Sequence, residues 1–163
     1  MISDNYRGQG PLLQSGTRAL RRGRVSMPHQ VYLVTSATLQ RQRFFSDFPA
    51  GCAAARCFEH PAILGDARML AWVLMPDHVH WLLQLGAKDT LSLVVNRLKS
   101  ASARLANQAL NRSGVLWEPA FHDHALRSEE DLRSVGRYLV ANPLRAGLVE
   151  RIGDYPFWDA VWL

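Results

Sequence analysis

Two residue types are scarce in this chain. Cysteine occurs only as Cys52 and Cys57, too few for a disulfide framework, and both fall in a segment with helical spacing. They read as buried thiols of a protein kept in a reducing compartment, with a disulfide or a metal pair as the alternative. Lysine is as rare: of 19 Lys and Arg residues only Lys88 and Lys99 are lysine, and the rest are arginine. Long apolar runs are missing too. The longest, around Met69, is interrupted by Arg68 and by Pro76-Asp77, well short of the roughly 20 residues that cross a bilayer. The N-terminus has no apolar segment of the kind that directs secretion, so a cytoplasmic location is expected. There are no internal repeats and no low-complexity tract.

What is present describes one soluble domain. At 163 residues, 48% hydrophobic and 20% charged, the chain can bury a sizeable core. Its formal net charge is +5. Solubility would be served as well by lysine, whereas the planar guanidinium fork suits phosphates and base edges, so the bias towards arginine points to nucleic acid. Arg18, Arg21, Arg22 and Arg24 cluster with no acidic residue between them. Two readings stand for them, a solvated basic arm or an arm that contacts DNA.

Residues 1–29 are rich in Gly, Arg, Ser and Gln without periodicity and read as a flexible arm, leaving 30–163 as the domain. Within it, 31–39 is β-branched and apolar, a strand; 45–60 has helical spacing and stops at Pro61. Residues 68–75 and 78–85 are strands joined by a Pro76-Asp77 turn. The stretch 91–111 is an amphipathic helix whose polar side shows Arg97, Lys99 and Arg104. A fourth strand is expected over 116–126. A further helix is expected over about 128–142, with Ser128 as N-cap and acids in its first turn. Asn142-Pro143 breaks it, and the aromatic tail, 148–163, packs back on the body. The order is β-α-β-β-α-β plus one helix, an α+β ferredoxin-like unit: an antiparallel sheet with two helices on one face. The extra helix is the natural cover for the other face.

Alternation along the third strand puts His78 and His80 on one face, with Val79, Trp81, Leu83 and Leu85 packed against the helices on the other. Two imidazoles roughly 6–7 Å apart at Cα can converge on one divalent ion. The bland alternative is a pair of structural histidines. His122 and His124 repeat the spacing on the fourth strand, either in a supporting role or merely exposed. Tyr138 and Asn142, four apart, share one helical side, so a phenol oxygen and a carboxamide can be presented together. Amphipathic packing would explain Tyr138 equally well.

Several stretches in order carry a family resemblance. They are Arg-Gly-Arg (22–24), Tyr-Leu-Val-Thr (32–35), Met-Pro-Asp-His-Val-His (75–80) and Leu-Lys-Ser-x-Ser-Ala-Arg (98–104). His-Asp-His-Ala-Leu-Arg (122–127), Glu-Glu-Asp-Leu (129–132) and Tyr-Leu-Val-Ala-Asn-Pro-Leu-Arg-Ala-Gly-Leu-Val (138–149) continue the series. Together they resemble the REP-associated tyrosine transposases, single-tyrosine enzymes of the HUH type (His-hydrophobic-His) with a ferredoxin-like core. The resemblance runs from about residue 22 to the end. It implies that His78 and His80 are metal ligands, Tyr138 the nucleophile and Asn142 a third ligand. His122, His124 and Asp77 are candidates for supporting roles. Many relatives have Asn where this chain has Asp77, which opens the role of that side chain.

The implied activity is nicking and joining of single-stranded DNA at palindromic hairpins through a 5′-phosphotyrosine, assisted by Mg²⁺ or Mn²⁺. Arg21, Arg22, Arg24, Arg97, Lys99, Arg104 and Arg145 are the expected DNA contacts, and a nucleoid-associated monomer is the expected form. Two alternatives remain at this stage: a domesticated hairpin binder that does not cut, and a metal-dependent phosphoesterase built on His122 and His124.

Overall fold

The computed structural model describes residues 26–127 and 130–163. The arm arginines Arg18, Arg21, Arg22 and Arg24 and the expected cap Ser128 lie outside the described residues. The strands are β1 (Val31–Ala37), β2 (Arg68–Met75), β3 (His78–Gln84), β4 (His122–Ala125) and β5 (Trp158–Ala160). They form one sheet in the order β4-β1-β3-β2-β5, with every neighbouring pair antiparallel. The long helices are α1 (Phe48–Ala55), α2 (Leu91–Ala109) and α3 (Leu132–Val140). The expected ferredoxin-like arrangement is present, with β3 at the centre.

Both faces of the sheet are covered, by different elements. Val34, Val79, Trp81 and Leu83 join Phe58, Val94 and Leu98 in one core beneath α1 and α2. Val73, Met75 and Leu82 join Leu139 and Val140 of α3 in a second, smaller core on the other face. The sequence explains each helix. Leu91, Val94, Val95, Leu98, Ser102 and Ala106 of α2 are buried at three- and four-residue spacing, and Thr90 caps its start by accepting from the Leu93 N–H. In α3, Asp131 is the cap, accepting from the backbone of Arg133 and the hydroxyl of Ser134 at 3.0 and 2.6 Å.

Four boundaries differ from expectation. The helix expected over 45–60 is shorter, because the Asp47 carboxylate caps a new start before Pro49 and the chain leaves the helix after Ala55. Pro61 opens a turn, Pro61–Leu64, capped by His60, instead of closing a helix. The fourth strand is confined to His122–Ala125. Before it, Trp117 only bridges Thr38, and the Lys99 ammonium holds the carbonyls of Glu118 and Pro119 out of the ladder. The last helix begins at Leu132 behind Asp131, later than 128.

The tail packs back as expected, and it also adds an edge strand. β5 pairs with β2 through Ala71↔Ala160 and Val73↔Trp158. The Tyr155 hydroxyl donates to the Leu74 carbonyl, and the Leu74 N–H donates to the Phe157 carbonyl. Phe157 reaches the main core over Gly51, where an added Cβ would lie 2.5 Å from the ring. Gly51→Ala is therefore expected to destabilise by about 1–3 kcal/mol through overpacking, although alanine is the better helix former. The melting temperature should fall by several degrees; an unchanged or higher value would show that the ring has room to move.

Candidate active site

The histidine pair stands at the centre of the sheet. His80 lies opposite Thr35 on β1 and Val73 on β2, and His78 lies opposite Ala37 and Met75. The two rings meet edge-on with centroids 4.9 Å apart. Each has Nδ1 engaged, that of His78 with Asp77 Oδ1 at 2.7 Å and that of His80 with Thr35 Oγ1 at 2.8 Å. A carboxylate only accepts, so His78 Nδ1 carries the proton and Nε2 the lone pair. The Thr35 hydroxyl is able to accept from His80 in the same way. Such outer partners fix the orientation of ligating imidazoles.

Burial keeps both rings neutral. It pushes His80 down to about 3, helped by the charges of His78, Arg145 and Arg41. Burial also lowers His78, against the hydrogen bond and charge of Asp77, which raise it. Burial acts on Asp77 in the opposite sense, yet the bond to His78 and the charges of His78 and Arg41 leave its carboxyl below the usual value.

Tyr138 is delivered to this side of the sheet. Leu82 follows His80 by two residues on the same strand face, and it packs in one cluster with Leu139 and Val140 of α3. Gly136 lets the helix sit close, since a Cβ there would lie 2.9 Å from the Trp162 ring and 3.9 Å from Ala71. With Leu139 and Val140 buried, Tyr138 stays 47% exposed. The chain continues into a turn, Asn142–Arg145, that brings the Arg145 guanidinium 3.8 Å from the centroid of the Tyr138 ring. Arg145 also donates to the Tyr138 carbonyl at 2.7 Å. Asn142 donates through Nδ2 to the Leu139 carbonyl at 2.6 Å, which leaves Oδ1 as the acceptor end of its carboxamide.

The other candidates separate. His122 and His124 face the same side as the central pair, because they lie opposite Thr35 and Leu33 on β1. They are two strands removed, about 10 Å from the pair at the strand spacing of a sheet. His124 Nε2 is 3.4 Å from Glu130 Oε1. Among the described residues no three His, Cys, Asp or Glu side chains converge to hold an ion.

The expected contacts on α2 lie elsewhere. That helix covers the opposite face of the sheet, away from the histidines. Lys99 is 9% exposed with its ammonium on the carbonyls of Glu118 and Pro119, so it braces the loop before β4 and is not placed to meet DNA. Arg97 is paired with Asp89 at 2.5 Å and reaches the Leu64 carbonyl. Arg104 is exposed, but on that far side.

Two site residues were missed by sequence reasoning. Thr35 was within reach of it: strand alternation from Val31 puts a hydroxyl among the apolar residues of one face. Arg41 left no such signal. It follows Gln40 in a turn where both residues have left-handed backbone, with φ of 56 and 53°. Non-glycine residues in sparsely populated regions cost on the order of 1–3 kcal/mol each. The turn is held by buried Thr38, whose N–H donates to the Asp77 carbonyl and whose hydroxyl donates to the Gln42 carbonyl, and by the Glu118 carboxylate on the Gln40 N–H. Arg41 Nε then lies 3.4 Å from Asp77 Oδ2.

The buried, neutral His80 has a consequence for stability. With its pKa depressed in the fold, the unfolded chain binds the extra proton between about 3 and the ordinary value of 6.5, so stability is retained above 6.5 and lost as pH falls through that window. In chelator, the urea midpoint of the parent should fall with acidification more steeply than that of His80→Gln. Parallel curves would show that His80 accepts its proton within the fold.

Comparison with known proteins agrees with this geometry. The family described as "Transposase IS200 like" matches residues 32–142, a span from Tyr32 on β1 through the histidine pair to Tyr138 and Asn142. The REP-associated tyrosine transposase of Escherichia coli K12 is 32% identical over 91 residues, covering 53% of this chain and 50% of that protein. A Haemophilus influenzae protein provisionally given the same name is 29% identical over 98 residues, 54% of this chain and 56% of its own length. The chain thus spans about half the length of the curated relatives it matches. Among solved structures, a REP-associated tyrosine transposase bound to a REP hairpin superimposes with a TM-score of 0.63. That match has 23% identity over 83% of this chain and 79% of the other, a likeness of fold. Matched over more than half its length, the chain belongs to the IS200-like transposase family.

Proposed function

We propose that this chain nicks and rejoins single-stranded DNA at palindromic, REP-like hairpins, with Tyr138 as nucleophile. The observation that carries the reading is the convergence of two independent parts on one sheet face: an exposed tyrosine on α3 and a histidine pair whose Nδ1 atoms are already engaged. A core needs neither the phenol outside nor the imidazoles inside. The substrate class rests on the similarity to REP-associated transposases and on the arginine-rich charge.

The donor set fits a divalent cation. Nε2 of His78, Nε2 of His80 and Oδ1 of Asn142 would hold Mg²⁺ or Mn²⁺, with the nitrogen ligands favouring Mn²⁺. Bound there, the ion would supply Lewis acidity to a non-bridging oxygen of the scissile phosphate. The chain's own groups do the rest. The Tyr138 oxygen loses its proton and bonds to phosphorus, the bond from phosphorus to the 3′-oxygen breaks, and that oxygen leaves as a hydroxyl. The product is a 5′-phosphotyrosine, and attack on it by another 3′-hydroxyl restores a phosphodiester without ATP. Arg145, stacked on the phenol, holds the ring in place and brings a fixed positive charge to where negative charge develops. Neutral imidazoles keep lone pairs available across the physiological range. One chain carries every group, so a monomer suffices.

Tyr138→Phe should abolish the covalent adduct with a hairpin oligonucleotide in Mn²⁺ while leaving hairpin affinity within about twofold, since one exposed hydroxyl is lost. Adduct formation by that variant would remove Tyr138 from the role. Hairpin binding by the parent with no adduct on any repeat hairpin would favour a binder that does not cut.

A further inference from the structure

Arg41 is the group at this site that neither the motifs nor the reaction account for. It sits on a turn built at a cost in backbone energy, with two successive non-glycine residues, Gln40 and Arg41, in left-handed conformation. The turn does not drift there. Thr38, fully buried, ties it to the β2–β3 turn through the Asp77 carbonyl, and its hydroxyl also reaches the Gln42 carbonyl at 2.6 Å. Glu118 fixes it from the other side through the Gln40 N–H at 2.7 Å. The Phe45 N–H adds a bond to the Pro76 carbonyl at 3.1 Å.

This anchoring presents a side chain that is 59% exposed, with its Nε 3.4 Å from Asp77 Oδ2. An ion pair so exposed contributes too little to stability to explain the strained turn. Asp77 is engaged on its other oxygen by His78 Nδ1. Arg41, Asp77, His78 and His80 thus form a line leading into the site, and Arg41 is its solvent end. The charge of Arg41 is felt at both histidines, which agrees with that placement. Arg145 stands at the tyrosine ring, so two arginines from distant parts of the chain flank the histidine pair.

We propose that Arg41 binds a backbone phosphate of the single strand at the Asp77–His78 end of the site, while Arg145 serves the Tyr138 end. Among the described residues nothing bonds to its Nη groups, which form the fork that grips phosphate oxygens, and the strained turn holds that fork in place before substrate arrives. The contact is to phosphate and reads no base. The idea rests on the DNA reading of the site, but it concerns binding and not cleavage.

The test is a salt titration of hairpin affinity, with a fluorescent REP-like hairpin carrying a single-stranded 5′ flank as probe. It compares the parent with Arg41→Gln and Arg41→Lys, all in a Tyr138→Phe background so that no adduct forms. Loss of one phosphate contact should make the slope of log affinity against log salt shallower by about one in Arg41→Gln, with Arg41→Lys near the parent. Shortening the flank to the bare hairpin should remove the difference. If Arg41 acted only by steadying Asp77 and His78, Arg41→Gln made with Tyr138 intact would cleave more slowly while the slope stayed unchanged, and the proposal would be overturned. An unchanged slope with unchanged cleavage would overturn it too. Should the Tyr138-containing parent bind but never form an adduct, the cleavage reading fails while the slopes still decide on Arg41. A parent with no salt-dependent affinity for any single strand would sink both.

Discussion

A strand hydrogen-bonded along both edges cannot rotate, and β3 is bonded to β1 over its whole length and to β2 from Arg68 to Met75. That constraint sorts its side chains without exception. Val79, Trp81 and Leu83 enter the main core, and His78, His80 and Leu82 enter the second face. Once the sorting is fixed, the two imidazoles have no route to solvent away from the site. Their outer nitrogens can only meet what the neighbouring strand and turn supply, Thr35 from β1 and Asp77 from the β2–β3 turn. The site is thus a product of sheet register before it is a product of any particular side chain.

The second face solves a packing problem and a chemical one with the same helix. Left bare, Val73, Met75 and Leu82 would expose a contiguous apolar surface. α3 covers them with Leu139 and Val140, and Gly136 removes the side chain that would otherwise hold it off Trp162. Helical geometry then leaves Tyr138 about 100° round from its buried neighbour, half in solvent. The proposed nucleophile is carried by the element whose packing completes the fold.

Much of this was legible in the sequence, and the exceptions have physical causes. Apolar patterning found β1, β2, β3 and α2 because each turns a largely apolar face to a core. Alternation alone put His78 and His80 together, and four-residue spacing did the same for Tyr138 and Asn142. What failed were elements whose ends are set by side-chain hydrogen bonds: Asp47 starts a helix that apolar patterning places earlier, Asp131 starts one whose expected cap was Ser128, and Lys99 holds the approach to β4 out of the sheet. Lys99 also shows why surface charge misleads, since a cation on the polar side of a helix can still be covered by a loop. β5 was hidden because three residues carry too little pattern to read as a strand. Arg41 was hidden more deeply, because a left-handed turn without glycine has no signature in residue type.

The order of elements around α3 sets how that helix is held. It is joined by short connections to β4 on one side and, through the Asn142–Arg145 turn, to the tail that forms β5 on the other; these are opposite edges of the sheet. No rung of the β ladder passes through it. α3 is a strap laid across a finished sheet, held at each end by a margin and in the middle by the contacts of a few apolar side chains. The hydrogen bonding of the five-stranded sheet, and with it the placing of the histidines, is therefore complete without α3.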